Sequence, residues 1–222
     1  MTDTTEAVRL AIYRQLATEG AAPTPADVVD RLQLDTSTVE AAFDELAEAR
    51  HIVFGDGRDI VMAHPFATIN LGFSVMGTST LWWGGCVWDS FAIPHLVASD
   101  DEVLVATTCQ GCDEALAWVV TNTTPPEGDG IAHFLTPMSD VWNDVVRTCA
   151  NQRVFCDEAC LDRWLEAEGL TKGYVTDLAT VWRLSSGWYE GRLGSPYVRR
   201  EPAEAREYFR SVGLRGPFWG LD

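Results

Sequence analysis

The sequence predicts an α+β protein: an N-terminal winged-helix-like helical module followed by an antiparallel-sheet domain with flanking helices. Three observations predict it. Residues 5–48 carry apolar positions at helical spacing only. From about residue 52, short runs rich in β-branched and aromatic residues alternate with Gly, Pro and Asn turns. Several of those runs are joined tightly enough to make hairpins. The predicted boundaries are a winged helix-turn-helix-like module at 1–64, a catalytic domain at 65–195 and a C-terminal helical extension at 196–222.

The elements follow in order. Val8, Ala11, Ile12 and Leu16 make one helical face. Thr24 is an N-cap with Pro25 at the first helical position and Asp27 near the third, opening a short helix. Asp35 or Ser37 caps the next, whose apolar face is Val39, Ala42, Phe43 and Leu46. IVFGDGRDIVMAH reads as two strands around a Gly-Asp-Gly turn. Three helices and a hairpin make the winged-helix pattern. After His64-Pro65, ATINLGFSVMG and STLWWGG read as strands, and CVWDSFAIPHLVA as an apolar helix opened by Gly84-Gly85. DEVLVATTC and DEALAWVVTNT form a hairpin across Gly111, and IAHFLTP is a strand. MSDVWNDVVRTCA reads as a helix with Thr136 as N-cap and Pro137 at N1. RVFC is a short strand, DEACLDRWLEAEG a helix ending at Gly169, and LATVWRLSSGWYEGRL and REPAEAREYFRSVG two more helices.

The chain has 222 residues, 46% of them hydrophobic, which excludes disorder. No apolar run is long enough to span a bilayer and no secretion signal opens the chain, so no membrane association and a cytoplasmic location are expected. Sixteen basic residues face 33 acidic ones, net −17. That surface repels phosphate backbones, and nucleic acid is not an expected partner. The would-be recognition helix carries Glu40, Asp44, Glu45 and Glu48 against Arg50 alone. No phosphate-binding glycine loop and no serine-hydrolase elbow is present.

All six cysteines lie between residues 86 and 160. In a reducing compartment such clustering points to metal or catalysis. Cys86 opens a helix, where free N–H groups and the dipole favour a thiolate. Asp89, three residues on, shares its face and can orient the thiol or move its proton. The competing reading is a buried structural cysteine with Asp89 capping the helix. Trp82, Trp83 and Trp88 can wall a dry pocket around them. Cys149 sits at the far end of its helix, where the dipole gives no help. It is either a core cysteine or half of a dithiol able to grip a soft cation. Cys109-Gln-Gly-Cys112 and Cys156-Asp-Glu-Ala-Cys160 have the spacing of a structural zinc site; separate thiols, or a relay for a soft metal, are the alternative. His51, His64, His95 and His133 lack the spacing of metal ligands and read as core or surface residues.

The stretch from Ile60 to about Leu193 resembles the organomercurial (alkylmercury) lyase family. The segment TSTLWWGGCVWDSFAIPHLVA is similar to its aromatic-x-x-Cys-x-x-Asp-x-x-x-x-Pro signature. The resemblance implies that Cys86 and Asp89 are catalytic, that Cys149 within DVVRTCANQRVF is the second catalytic cysteine, and that Cys86 and Cys149 hold the mercury. It also pairs Cys109 with a cysteine outside the catalytic set, and accords with a winged-helix-like N-terminal part. Ala150-Asn151-Gln152-Arg153 departs from the family's histidine-containing stretch. Cys112, Cys156, Cys160 and residues 196–222 are additions to its common pattern.

The implied activity is protonolysis of carbon–mercury bonds, giving a hydrocarbon and thiolate-bound Hg(II). No external cofactor is required; structural zinc at Cys109, Cys112, Cys156 and Cys160 stays one of the two readings of their spacing. The partners would be a small organomercurial and, as product acceptor, a mercuric reductase or a low-molecular-weight thiol. Two other classes compete: a lyase-fold protein with different thiol or metal chemistry, and a cysteine-based metal-responsive winged-helix transcription regulator.

Overall fold

The computed structural model describes residues 1–97 and 101–222. Helix α1 (Asp3–Glu19) is capped by Thr2 and stops at Gly20, whose left-handed φ of 70° suits glycine. Helix α2 (Pro25–Leu32) opens on a reciprocal Thr24–Asp27 capping box with Pro25 in its first turn. Helix α3 (Thr36–Glu48) is capped by Asp35, while Ser37 only donates to that carboxylate. Each such cap is worth about 1 kcal/mol. The expected apolar face of α3 is buried, with Val8, Ile12 and Leu16 of α1 in the same core.

Strands β1 (Val53–Phe54) and β2 (Ile60–Ala63) pair around the Gly-Asp-Gly turn. They continue into the main sheet, because β2 also pairs with β3 (Phe66–Ala67). With β4 (Phe73–Met76), β5 (Leu81–Gly84), β6 (Glu102–Thr108) and β7 (Ala115–Thr121), the order is β1-β2-β3-β5-β4-β6-β7. Every pairing in it is antiparallel. Val75 faces Trp82 across β4 and β5, and Val103 and Val105 alternate inward along β6.

Helix α4 (Val87–Leu96) is buried from Val87 through Pro94. It packs against the sheet on one side and α7 (Leu178–Trp188) on another, which is why its sequence is apolar all round. Its expected extension reaches Ala98, which lies outside the described residues. A second antiparallel sheet, β10-β8-β9, comprises β8 (Ile131–Phe134), β9 (Arg153–Phe155) and β10 (Tyr174–Asp177). Helices α5 (Val145–Ala150), α6 (Glu158–Glu168) and α8 (Pro202–Ser211) complete the chain.

The helix expected to start at Thr136 does not form there. The Met138 N–H donates to the Phe218 carbonyl, and residues 137–143 run through turns and a 3-10 segment, Val141–Asn143. Helix α5 starts only at Val145, capped by Asp144. Asp140, Asn143 and Asp144 carry short polar side chains that favour turns and caps over helix interiors, and the bond to Phe218 takes an N–H that the Thr136 side chain would otherwise cap.

One apolar core runs from Val8 to Leu221, joined to α1 by the Trp82 indole, which donates to the Leu16 carbonyl at 3.0 Å. A satellite core under α6 contains Cys109, Phe155, Cys160, Leu161, Trp164 and Leu165. No described helix is long and apolar enough to cross a membrane.

Candidate active site

The β5–α4 junction brings the first thiol and the carboxylate together. Cys86 is the N-cap residue of α4 in extended conformation, but its side chain makes no capping bond to the helix backbone. Asp89 lies one turn on, its Oδ2 3.3 Å from Cys86 Sγ. This tight step needs glycine at two positions. A Cβ on Gly84 would fall 2.0 Å from Ser90 Oγ, and one on Gly85 would fall 2.3 Å from Asp89 Oδ2.

Cys149 enters from α5. Its Sγ is 3.9 Å from the same Asp89 Oδ2. The turn after α5 is tied to the start of α4 by a bond from the Val87 N–H to the Gln152 carbonyl. Both sulfurs thus converge on one carboxylate oxygen, with Cys86 2%, Asp89 1% and Cys149 4% exposed.

Three further residues complete the inner site: His64, which the sequence reads only as a core or surface residue, and Tyr189 and Arg192, which it does not single out. His64 Nε2 is 3.5 Å from Cys149 Sγ. The Tyr189 hydroxyl, at the end of α7, donates a very short bond to Asp89 Oδ1. Arg192 donates to the His64 carbonyl at 2.5 Å and to the Tyr197 hydroxyl at 2.9 Å, and its guanidinium lies 4.8 Å from the Tyr189 ring centroid. His64 meets Cys149 across 85 residues and Tyr189 meets Asp89 across 100, so no local pattern marks them. The described group His64, Asp89 and Cys149 is compact enough for metal coordination.

Electrostatics correct the expectation of a resting Cys86 thiolate. Burial, then the Cys149 hydrogen bond and the Asp89 charge, push its thiol well above the ordinary value. A helix dipole contributes at most about 2 kcal/mol, less than the several kcal/mol needed to dehydrate an ion. For Cys149, the hydrogen bond from Cys86 pulls down, but burial and Asp89 raise the thiol overall. Burial raises the Asp89 carboxyl to about 6, against the downward pull of hydrogen bonds from Tyr189 and Cys86 and of the Arg192 charge. Burial, with the Arg192 and Arg199 charges, lowers His64 to about 3, so its imidazole is neutral. At neutral pH the site therefore holds two thiols, a carboxylate and a guanidinium.

These groups line a cavity of about 700 Å³. Its apolar wall is Trp88, Trp188, Phe209 and Trp219, with Trp88 and Trp188 centroids 4.9 Å apart. Only Trp88 of the three tryptophans expected there lines it. Trp82 points under the sheet to α1, and Trp83 lies outside the lining because neighbouring strand residues face opposite ways. Five arginines, Arg50, Arg192, Arg199, Arg200 and Arg206, also line the cavity, against Asp89 as the one acidic lining residue among the described residues.

The other four cysteines gather elsewhere. Cys109 and Cys112 come from the β6–β7 turn and Cys156 and Cys160 from the β9–α6 junction, with all four sulfurs within 4.8 Å of one another.

Comparison with known proteins bears on family and fold. The family described as MerB, alkylmercury lyase, matches residues 66–190, which include Cys86, Asp89, Cys149 and Tyr189 and leave His64 and Arg192 outside. No curated protein matches the chain. A solved structure, the mercury-bound form of MerB2, is similar in fold, with a TM-score of 0.64 and 15% identity over 87% of this chain and 93% of that one. With more than half its length matched, this chain belongs to the alkylmercury lyase family.

Proposed function

We propose that the chain cleaves carbon–mercury bonds with Cys86 and Cys149 as the mercury ligands and Asp89 as the proton carrier. The observation that carries this reading is the approach of both thiols to one buried carboxylate oxygen, at 3.3 and 3.9 Å. In the first step the Cys86 thiol exchanges with the ligand X of R–Hg–X, forming Cys86–S–Hg–R and releasing HX. Cys149 then gives its proton to Asp89 and adds to mercury as a thiolate. Two soft sulfur donors place electron density on the carbon and weaken the C–Hg bond. Asp89 returns the proton to that carbon, releasing R–H and leaving mercury between the two sulfurs. Atoms balance, with R–Hg–X and two thiols giving R–H, HX and a dithiolate-bound Hg(II).

The surrounding groups have defined tasks. Tyr189 holds Asp89 by its other oxygen, so that Oδ2 stays aimed at the sulfurs. Neutral His64 accepts from or donates to Cys149 without competing for its proton. The aromatic wall keeps water from the leaving carbon. The product would leave by thiol exchange to a low-molecular-weight thiol or a mercuric reductase, in a cytoplasmic setting. Residues 1–64 serve as a winged-helix-like packing module rather than a DNA reader, a reading supported by the burial of Val8, Ile12, Leu16, Val39 and Phe43 in the common core.

The test is hydrocarbon release from phenylmercury or methylmercury in excess thiol. Wild-type protein should turn over, and C86S and C149S should each lose at least ~10³-fold, as removal of a reacting group does. Undiminished turnover in either variant refutes the assignment.

A further inference from the structure

We propose that Cys109, Cys112, Cys156 and Cys160 hold one structural zinc ion, which staples the two sheets together beside the segment that carries Cys149. Tetrahedral zinc with Zn–S bonds of about 2.3 Å separates its sulfurs by roughly 3.8 Å. Here Cys112 Sγ and Cys156 Sγ are 3.6 Å apart, and all four sulfurs lie within 4.8 Å of one another. A disulfide would need about 2.05 Å.

The surrounding backbone is built for the cluster. The Gly111 and Cys156 N–H groups donate to Cys109 Sγ, as a bound thiolate requires. The turn closes through bonds from the Cys112 and Asp113 N–H groups to the Cys109 carbonyl, and Asp113 takes a left-handed φ of 61°. Gly111 lies so close to α6 that a Cβ would fall 2.0 Å from the Cys160 carbonyl oxygen. The knuckle is therefore pressed onto the second pair of ligands, not merely near it. Arg163 donates to Cys160 Sγ at 2.9 Å and to the Gly111 carbonyl at 3.0 Å. That cation offsets part of the net −2 charge of a zinc tetrathiolate; Glu114, 3.6 Å from Cys156 Sγ, is the acidic neighbour. Binding releases the thiol protons to solvent.

The staple has a clear mechanical place. Cys109 and Cys112 end a hairpin of the seven-stranded sheet, and Cys156 and Cys160 follow β9 of the three-stranded sheet. Cys149 lies just upstream of β9, so the ion fixes the strand that follows the second mercury ligand. The ion's place is independent of the catalytic pair.

Metal analysis by native mass spectrometry of the full chain tests the proposal. One zinc per chain is expected in wild type and equally in the doubly substituted C86A/C149A protein. C112S should lose the zinc and lower Tm by roughly 10 °C. Should C112S fail to fold, cobalt(II) exchange into wild type gives the second reading, with the spectrum of tetrahedral four-sulfur coordination expected. Wild type without zinc that takes up no zinc or cobalt, two disulfides in the intact mass, or zinc lost from C86A/C149A would each overturn the proposal. None of these outcomes depends on organomercurial turnover, so failure of the catalytic reading is seen separately.

Discussion

Replacing Asp89 by Asn should abolish catalysis and stabilise the protein. Burial raises this carboxyl from an ordinary 3.8 to about 6. The folded state therefore holds the proton more tightly than the unfolded chain does. Below pH 3.8 both states are protonated and the group costs nothing. Between pH 3.8 and about 6 the unfolded chain ionises first, and stability falls as pH rises. Above about 6 the cost is constant, near two pKa units at 1.36 kcal/mol each, or about 3 kcal/mol. Asn fits the same space, accepts the Tyr189 hydroxyl bond on its oxygen and carries no charge. In urea unfolding at pH 7.5, D89N should be more stable than wild type by about 2–3 kcal/mol, and the gap should close as pH falls towards 4. In a chain of this size that is a rise in Tm of roughly 5–10 °C. D89N less stable than wild type at pH 7.5, or a gap independent of pH, refutes the claim that Asp89 is a charged group held in a dry site.

Y189F removes a bond that pulls the Asp89 carboxyl down, so Asp89 should titrate further above 6. The acid limb of the pH–rate profile should move to higher pH and turnover at pH 7 fall by ~10-fold, with partial recovery at alkaline pH; a purely structural role would lower the whole profile without moving it. G85A places a Cβ where Asp89 Oδ2 and Met62 Cε lie, at 2.3 and 2.8 Å. It should cost about 1–3 kcal/mol in thermal or urea unfolding and about 10²-fold in turnover. The five arginines of the cavity, in a chain of net charge −17, should favour organomercurials that bear a carboxylate over neutral ones of equal size. Their KM should be lower, and that advantage should shrink as salt is raised; equal KM values at low salt would refute it.

Legibility in the sequence followed the range of the interaction. The caps of α2 and α3, the Gly-Asp-Gly hairpin and the Cys86–Asp89 pair rest on residues within a few positions of one another, and local rules place them. Cys149 carried no local signal and came into view through resemblance to the lyases. His64 was weighed and set aside as a core or surface residue, and Tyr189 and Arg192 were out of reach, because their places exist only in the packed molecule, where Arg192 ties the His64 carbonyl to the end of α7. The helix expected at Thr136 shows the reverse error: a good local start was overruled by a bond to Phe218, 80 residues on. Cys86 shows a conflict of magnitudes, since its helix-terminal position is legible in sequence while the burial that outweighs it is not.

The charge state of the site supports the proposed proton path through a carboxylate. Two thiolates beside Asp89 would place three negative charges on residues that are each at most 4% exposed, a cost that the one Arg192 guanidinium does not offset. The proposed sequence of steps would avoid that state. At rest the two thiols and the carboxylate carry −1. Exchange of Cys86 for X removes a proton as HX as the R–Hg⁺ unit arrives, and the total stays −1. Transfer from Cys149 to Asp89 moves the charge onto sulfur without changing it. Protonolysis returns it to Asp89, since a dithiolate-bound Hg(II) is neutral. With Arg192 as counter-charge, every stage is balanced, and the dry surroundings that would oppose a free thiolate do not oppose the reaction. A hard divalent cation gives no such path, because its affinity for sulfur is too low to draw the protons from two buried thiols.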